Sequence, residues 1–416
     1  MSQTSSTVAV IGLGYIGLPT AAILADHGVS TVGVDVSAGT VEAVNRGEVP
    51  FVEPGLREVL ERAVTSGQLS AQDHTPAADA YIVTVPTPFT DTHSADLSYI
   101  EAAADGIAPQ LRGGELIVLE STSPPGATEH MAARMLASRP DLSTDPSRAD
   151  HLLVAHCPER VLPGKIMEEM ITNDRIIGGI TPEAAEAAKT LYRSFCRGEI
   201  LLTGAKTAEM AKLTENSFRD VNIAFANELS VICDELGINV WELIELANHH
   251  PRVNILQPGP GVGGHCIAVD PWFIVDAAPQ QANLIRAARE TNDAKPTWVL
   301  SRIEDAIAEC GQDATVALLG LAFKANIDDL RESPALQIAE SLALRAPQAN
   351  LLAVEPHIDQ LPASLAGAAN VTQAQTEEAI AAADVVVLLV DHDVFKAIPA
   401  EQLGEARLID SRGVWR

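Results

Sequence analysis

The sequence predicts an α/β protein made of two Rossmann-like, doubly wound domains joined by a long central helical region. Three observations carry that expectation. Short β-branched runs alternate with helical patterns at both ends of the chain, as successive βαβ units require. A glycine fingerprint, Gly12-Leu-Gly14-Tyr-Ile-Gly17, follows the first such run and opens the first helix. Between the two alternating regions, residues 207–236 contain neither Gly nor Pro and read as one long helix.

In chain order, strands are expected at 7–11, 31–35, 80–85, 116–120 and 152–155, with helices between them such as 18–27 and 55–66. The long helix ends at Gly237, a natural carboxyl-terminal cap, and a second helical stretch covers 283–310. The alternation then restarts with strands at 315–319, 350–354, 384–390 and 406–409 around helices at 334–343 and 377–382. The expected division is a first α/β domain over 1–205, a central helical domain over 206–310 and a second α/β domain over 311–416. Long apolar helices pack readily against a second copy of themselves, so a homodimer or higher homo-oligomer is expected.

The bulk numbers narrow the function classes. With 416 residues, of which 47% are apolar, the chain has material for two or three cores. A formal net charge of −28 disfavours nucleic acid and anionic membrane as partners. The apolar run 8–25 is long enough to span a bilayer, but Gly12, Gly14, Gly17 and Pro19 interrupt it and no Lys or Arg precedes it. Strand, turn and helix explain it better than a signal peptide, and a cytoplasmic location is expected. Five cysteines without a Cys-x-x-Cys pair suit a reducing compartment and offer no zinc site. Cys157, Cys196, Cys233 and Cys310 read as buried small hydrophobes. His249 and His250 lack metal-ligand company and His265 reads as structural, so no metal is expected.

The fingerprint assigns its own chemistry. Gly12 makes the turn, Gly14 lets the backbone approach a pyrophosphate, and Gly17 packs helix on strand. Asp35, closing the second strand, can bind both ribose hydroxyls and would repel a 2′-phosphate, which favours NAD over NADP. Cys266 stands in a loop of glycines, Gly-Pro-Gly-Val-Gly-Gly-His-Cys, and a thiolate displayed there is a strong nucleophile. Lys212, Asn216 and Arg219 fall at i, i+4 and i+7 of the long helix and share a face, either lining a site that holds an oxyanion or lying in solvent. Lys324 and Arg331 follow a strand of the second α/β domain, placed either for phosphates or for an ion pair with Asp328 or Asp329.

Over nearly its full length the chain resembles the UDP-glucose/GDP-mannose dehydrogenases. The resemblance rests on Val-Pro-Thr-Pro-Phe (85–89), Glu-Ser-Thr-Ser-Pro (120–124), Cys-Pro-Glu-Arg-Val-Leu-Pro-Gly (157–164), Lys-Leu-Thr-Glu-Asn-Ser-Phe-Arg-Asp-Val-Asn (212–222) and the run from His250 to Cys266. It implies a four-electron oxidation at C6 of a UDP-sugar by two NAD per turnover. On it, 1–205 binds NAD, 206–310 dimerises and carries the cysteine, and 311–416 binds the UDP-sugar. Cys266 would be the nucleophile, Lys212 the oxyanion-stabilising group, Asn216 its assistant and Asp270 an orienting partner. Tyr15, Ile16, Thr87, Thr122 and Arg331 would complete the NAD site formed by Gly12, Gly14, Gly17 and Asp35. Arg160, Val161, Lys212, Asn216, Arg219, His250, Arg252, Gly263, Phe323, Lys324 and Arg416 would contact substrate, with Arg252 reaching across the dimer.

One departure bears on the sugar. Members acting on UDP-glucose read Pro-Glu-Phe-Leu-Arg-Glu-Gly, where this chain has Pro-Glu-Arg-Val-Leu-Pro-Gly. Glu159 is kept, whereas Pro163 takes the place of the glutamate assigned to water activation, which leaves the group activating water open. The substitution points to an N-acetylhexosamine, expected to be UDP-N-acetyl-D-mannosamine destined for surface polysaccharide. UDP-N-acetylglucosamine and UDP-glucose are the alternatives within this chemistry. A nucleotide-sugar epimerase is a different class, but no tyrosine here has Lys four residues on. A non-enzymatic NAD or UDP-sugar binding module would leave Lys212 and Cys266 idle.

Overall fold

The computed structural model describes residues 6–415 except Asp91 and, at His265, the side chain. The chain divides into two compact units, Met1–Thr214 and Glu215–Arg416. Arg416, expected to contact substrate, lies outside the described residues.

The first unit holds an eight-stranded sheet of β1 (Thr7–Ile11), β2 (Ser30–Val34), β3 (Leu69–Gln72), β4 (Ala80–Val83), β5 (Leu116–Leu119), β6 (Leu153–His156), β7 (Arg175–Gly179) and β8 (Ile200–Gly204). Their order is β3-β2-β1-β4-β5-β6-β7-β8, the doubly wound order extended by two strands. All neighbours are parallel except β6 and β7, which pair antiparallel through Ala155 with Gly179 and His156 with Gly178. β4 and β5 are buried at every position, which is why they read as unbroken apolar runs. One core packs on each face of the sheet, around Val10, Leu24 and Ile82 on one side and Tyr81, Ile107 and Met131 on the other.

The apolar amino-terminal run resolves as expected, into β1, a turn and the helix Gly17–Asp26. Among the described residues no helix is long and apolar enough to cross a membrane.

The second unit carries a five-stranded parallel sheet of β9 (Thr315–Leu319), β10 (Asn350–Val354), β11 (Val371–Gln373), β12 (Val385–Leu388) and β13 (Arg407–Asp410). Its order, β11-β10-β9-β12-β13, is the winding that β3-β2-β1-β4-β5 follows in the first unit. The opening turns match as well. The amide of Gly12 donates to Val34 and that of Gly320 to Val354, both at 2.8 Å, and φ is +93° and +90° respectively.

The long helix runs from Ala205 to Leu236, 32 residues, or about 48 Å at ~1.5 Å per residue. Gly237, at φ +66°, ends it, and the Ile238 amide reaches back to the Cys233 carbonyl at 2.8 Å. Within the second unit this helix is joined to Asn283–Cys310 by buried polar groups. Arg289, 1% exposed, donates to Asp220 at 2.6 Å, and Asn292 donates to Asp220 at 2.8 Å and accepts from Asn227 at 2.8 Å. Cys310, expected in a core, is exposed at the last position of its helix, while Cys157, Cys196 and Cys233 are buried. The apolar pattern of that helix ends one turn earlier, at Ile307.

Removing one member of a buried ion pair leaves the other charge uncompensated. Arg289→Leu should therefore destabilise the second unit by about 3 kcal/mol or more. Urea denaturation monitored by Trp fluorescence measures it, and a change within ~0.5 kcal/mol would show the pair to be dispensable.

Candidate active site

The cofactor end is built where β1 meets its helix. A Cβ on Gly12 would stand 2.8 Å from the Thr84 carbonyl oxygen, and one on Gly17 would collide with the Gly12 carbonyl at 1.8 Å. These two glycines are therefore fixed by packing. A Cβ on Gly14 would meet nothing within 4 Å, so this backbone faces open space, as pyrophosphate contact needs. The helix that follows has no side-chain cap at Ile16 and no acidic residue in its first turn, leaving amides and dipole available to an anion.

Asp35 comes directly after β2, its Oδ2 accepting from the Leu13 amide at 2.9 Å and its Oδ1 from Ser37 at 2.8 Å. Beyond β4, the Thr87 hydroxyl is buried without a hydrogen-bond partner. Thr122 is half-buried beyond β5, beside Ser121, whose hydroxyl donates to Val85 at 2.6 Å. An open glycine, an uncapped helix start and an orphaned hydroxyl fit NAD.

The segment after β6 rests on a buried cluster. The Arg175 guanidinium lies 3.2 Å from Glu159 and stacks over Tyr192 at 5.1 Å. The Arg160 amide donates to Glu159 at 2.7 Å, and the Arg160 guanidinium reaches the Asp174 carbonyl at 2.8 Å. Cys157 is no rival nucleophile, because burial pushes its thiol up to about 12. Glu120 accepts from Tyr192 at 2.7 Å and from Thr20 at 3.2 Å. Burial, reinforced by Glu159, pushes its carboxyl up to about 7, against the pull of Arg175 and the two hydroxyl donors.

Glu209 escaped sequence reasoning. Buried on the long helix one turn before Lys212, it accepts from the Gly126 amide at 2.6 Å and from the amide and hydroxyl of Thr128 at 2.8 and 2.6 Å. The start of the helix bearing Lys212 is thereby tied to the loop bearing Thr122. Only the spacing Glu209-x-x-Lys212 hinted at it.

In the second unit, Cys266 is exposed and occupies the first turn of a helix, His265–Ala277, where a glycine loop was expected. The helix starts immediately after Gly264, whose φ of +81° ends the glycine run. The partial positive charge of a helix amino terminus favours a thiolate there. Asp270 lies one turn on, 3% exposed, and accepts from Asn216 at 2.5 Å. That bond ties the cysteine helix to the long helix, on which Lys212 sits one turn before Asn216.

The glycines themselves pack on protein. Cβ atoms at Gly263 and Gly264 would each come within 2.9 Å of Phe323. Gly263 and Phe323, both expected at the substrate, are thus neighbours. Lys212 is half-buried, whereas Arg219, His250, Arg252 and Lys324 are exposed. The His250–Gln257 stretch is pinned to the long helix by Asn222, which accepts from Leu256 and donates to Asn254, both at 3.0 Å. Arg331 makes the ion pair left open above, meeting Asp329 at 2.6 Å. Among the described residues no group of His, Cys, Asp and Glu could hold a metal.

A dinucleotide turn closed by an acidic residue in one unit, and a second nucleotide-type sheet beside a cysteine in the other, define an NAD-dependent dehydrogenase. The chain belongs to the UDP-glucose/GDP-mannose dehydrogenase family, whose NAD binding, central and UDP binding domains match residues 6–196, 206–294 and 317–416. It is 56% identical over 421 residues to the UDP-N-acetyl-D-mannosamine dehydrogenase of Salmonella typhi, covering 99% of each chain. It is also 56% identical over 411 residues to the NDP-N-acetyl-D-galactosaminuronic acid dehydrogenase of Ralstonia nicotianae, covering 98% of this chain and 96% of the relative. Among solved structures, the UDP-D-ManNAc dehydrogenase from Pyrococcus horikoshii matches with a TM-score of 0.85 at 38% identity, over 99% of this chain and 96% of that one. NAD is the cofactor, and the chain is an oxidoreductase acting on a UDP-sugar.

The Glu120 carboxyl gives a pH signature. Its pKa in the fold lies above the unfolded value of about 4.3, so its contribution is intact below that pH and lost as pH rises through about 7. Relative to Glu120→Gln, the wild type should lose thermal stability between about pH 5 and about pH 8. A Tm difference that stays constant over that range would overturn the assignment.

Proposed function

We propose that this enzyme oxidises UDP-N-acetyl-D-mannosamine at C6 to UDP-N-acetyl-D-mannosaminuronate. Full-length similarity to relatives bearing that substrate's name supports this sugar, as does Pro163 where UDP-glucose enzymes carry glutamate. The observation that carries the mechanism is the Asn216–Asp270 hydrogen bond, which links the Cys266 helix to the helix of Lys212. The equally similar Ralstonia relative favours a second reading, the same oxidation on a galactosamine derivative.

The Gly12–Gly17 turn with Tyr15 and Ile16, Asp35 at the ribose, and Thr87 and Thr122, with Arg331 from the second unit's sequence, would hold NAD, which would supply the hydride acceptor for each of the two oxidations. Lys212 stabilises the C6 oxygen as its proton leaves, and Asn216 supports it. The Cys266 thiolate adds to the resulting aldehyde, forming a thiohemiacetal. The second oxidation leaves a thioester, and water releases the carboxylate and restores the thiol. Asp270 orients a reacting group at this last step. Arg160, Val161, Arg219, His250, Arg252, Gly263, Phe323, Lys324 and Arg416 hold the nucleotide sugar. The roles divide the chain into NAD-binding residues 1–205, a central part over 206–310 and UDP-sugar-binding residues 311–416. The product feeds surface polysaccharide, and the enzyme works in the cytoplasm.

Counting NADH per sugar tests this. Two NADH per UDP-N-acetyl-D-mannosamine are expected, with UDP-N-acetylgalactosamine, UDP-N-acetylglucosamine and UDP-glucose as controls. Cys266→Ser should reduce turnover by roughly 10³-fold or more. One NADH per sugar would sink the thioester route, and preferred turnover of a control would replace the substrate.

A homodimer or higher assembly completes the proposal, with Arg252 reaching the partner's site. Phe218, Phe225 and Ile232 recur every seven residues along the long helix and are 68%, 49% and 45% exposed, an apolar stripe suited to a second copy. Light scattering should give at least twice the 44.0 kDa chain mass, and Phe218→Asp with Phe225→Asp should return it to one. A wild-type monomer would overturn this.

A further inference from the structure

Glu53 lies outside every motif singled out in the sequence, yet it touches two of them. It is 6% exposed and precedes Pro54 and Gly55, at the head of the helix Leu56–Thr65. Its Oε2 accepts from the Tyr15 hydroxyl at 3.0 Å and from the Gly164 amide at 2.9 Å, and its Oε1 accepts from the Ile166 amide at 2.8 Å. Tyr15 belongs to the cofactor turn, whereas Gly164 ends the segment that carries Arg160 and Val161. Ile166 is the first residue of a helix, Ile166–Thr172, that has no side-chain cap of its own. The carboxylate thus caps that helix from a distance while holding the cofactor turn with the same oxygen.

Neighbouring contacts stiffen both ends of this link. Phe51 packs its ring 5.0 Å from that of Tyr15, so the strip carrying Glu53 follows Tyr15 through two side chains. At the other end, Glu169 of the short helix accepts from the Leu162 amide at 2.8 Å, so the helix and the Arg160–Gly164 segment move together. Tyr15 is 37% exposed, on the turn whose Gly14 faces open space. A dinucleotide entering there meets Tyr15, and through it the shared carboxylate.

We propose that Glu53 is a positioning residue that transmits NAD occupancy at Tyr15 to the sugar-binding segment Arg160–Gly164. Cofactor seated on the turn fixes the phenol, the phenol fixes the carboxylate, and the carboxylate holds the Gly164 and Ile166 amides. Sugar binding is then strengthened by cofactor already in place, and by reciprocity the sugar strengthens cofactor binding. This rests on the reading of Tyr15 as a cofactor contact and of Arg160 and Val161 as sugar contacts.

Amide hydrogen exchange on the full chain, with and without NADH and with no sugar present, tests the link. In the wild type, NADH should slow exchange at Gly164 and Ile166 by about fivefold, the equivalent of one hydrogen bond. Glu53→Gln and Tyr15→Phe should each abolish that response while NADH still slows exchange across residues 12–18. Should Glu53→Gln fail to fold, Tyr15→Phe, which removes only the exposed arm, decides the matter. A Gly164 response that survives in Tyr15→Phe, or that is absent from the wild type, overturns the proposal. In turnover, Glu53→Gln should raise the KM for the nucleotide sugar by about fivefold and alter kcat less; a fall in kcat with that KM unmoved overturns it too. Failure of the wild type to oxidise UDP-N-acetyl-D-mannosamine would overturn the substrate reading alone, because the exchange measurement uses no sugar.

Discussion

Backbone amides at the ends of strands and the starts of helices have no partner in their own element, and burying one unpaired is costly. This chain meets that constraint repeatedly with side-chain carboxylates. Asp35 takes the Leu13 amide, Glu53 those of Gly164 and Ile166, and Glu209 those of Gly126 and Thr128. Glu355 takes those of Leu321 and Ala322. Each reaches a turn or loop where ligand-binding residues are expected, so the groups that satisfy the backbone are also those that set the site. Part of the large acidic excess is therefore internal scaffolding.

The two nucleotide-type sheets show how one such device can be reused. In both, the acidic residue directly after the second strand reaches across to the turn that follows the first. Asp35 binds one amide of its turn, whereas Glu355 binds two and also accepts from the buried ring of His392 at 3.1 Å. The His392 Nδ1 accepts from the Asn326 amide at 2.9 Å, so its proton is on Nε2. The first turn commits one amide to its own carboxylate, whereas the second commits two. Equal winding thus carries different internal wiring at the two turns.

What could be read from the chain follows from burial. Strands covered on both faces, such as β1, β4, β5 and β12, announce themselves as unbroken apolar runs. β3, reading Leu-Ser-Ala-Gln at a sheet edge, and β7, which opens on the buried Arg175 and closes on two glycines, carry no such signal. The dinucleotide turn was legible because its glycines have distinct steric duties. Cys266 was legible as the nucleophile candidate, but its helix was not, since a glycine run reads as loop up to the residue where the helix starts. Glu53 and Glu209 were invisible because an isolated acidic residue in a chain with 56 of them reads as solvated surface. Cys310 misled because a cysteine near an apolar helical stretch suggests a core, and the stripe had already ended.

The unbroken helix from Ala205 to Leu236 also imposes a rule on chain length. Each residue turns a helix by about 100°, so Lys212 and Asn216, with three residues between them, lie within about 40° of one another. One inserted residue in that interval would carry the lysine about 140° around the helix from the amide fastened to Asp270. Surface loops absorb changes of length at small cost, whereas this short stretch behaves as a phase ruler. Insertions should be purged there even where substitutions are accepted.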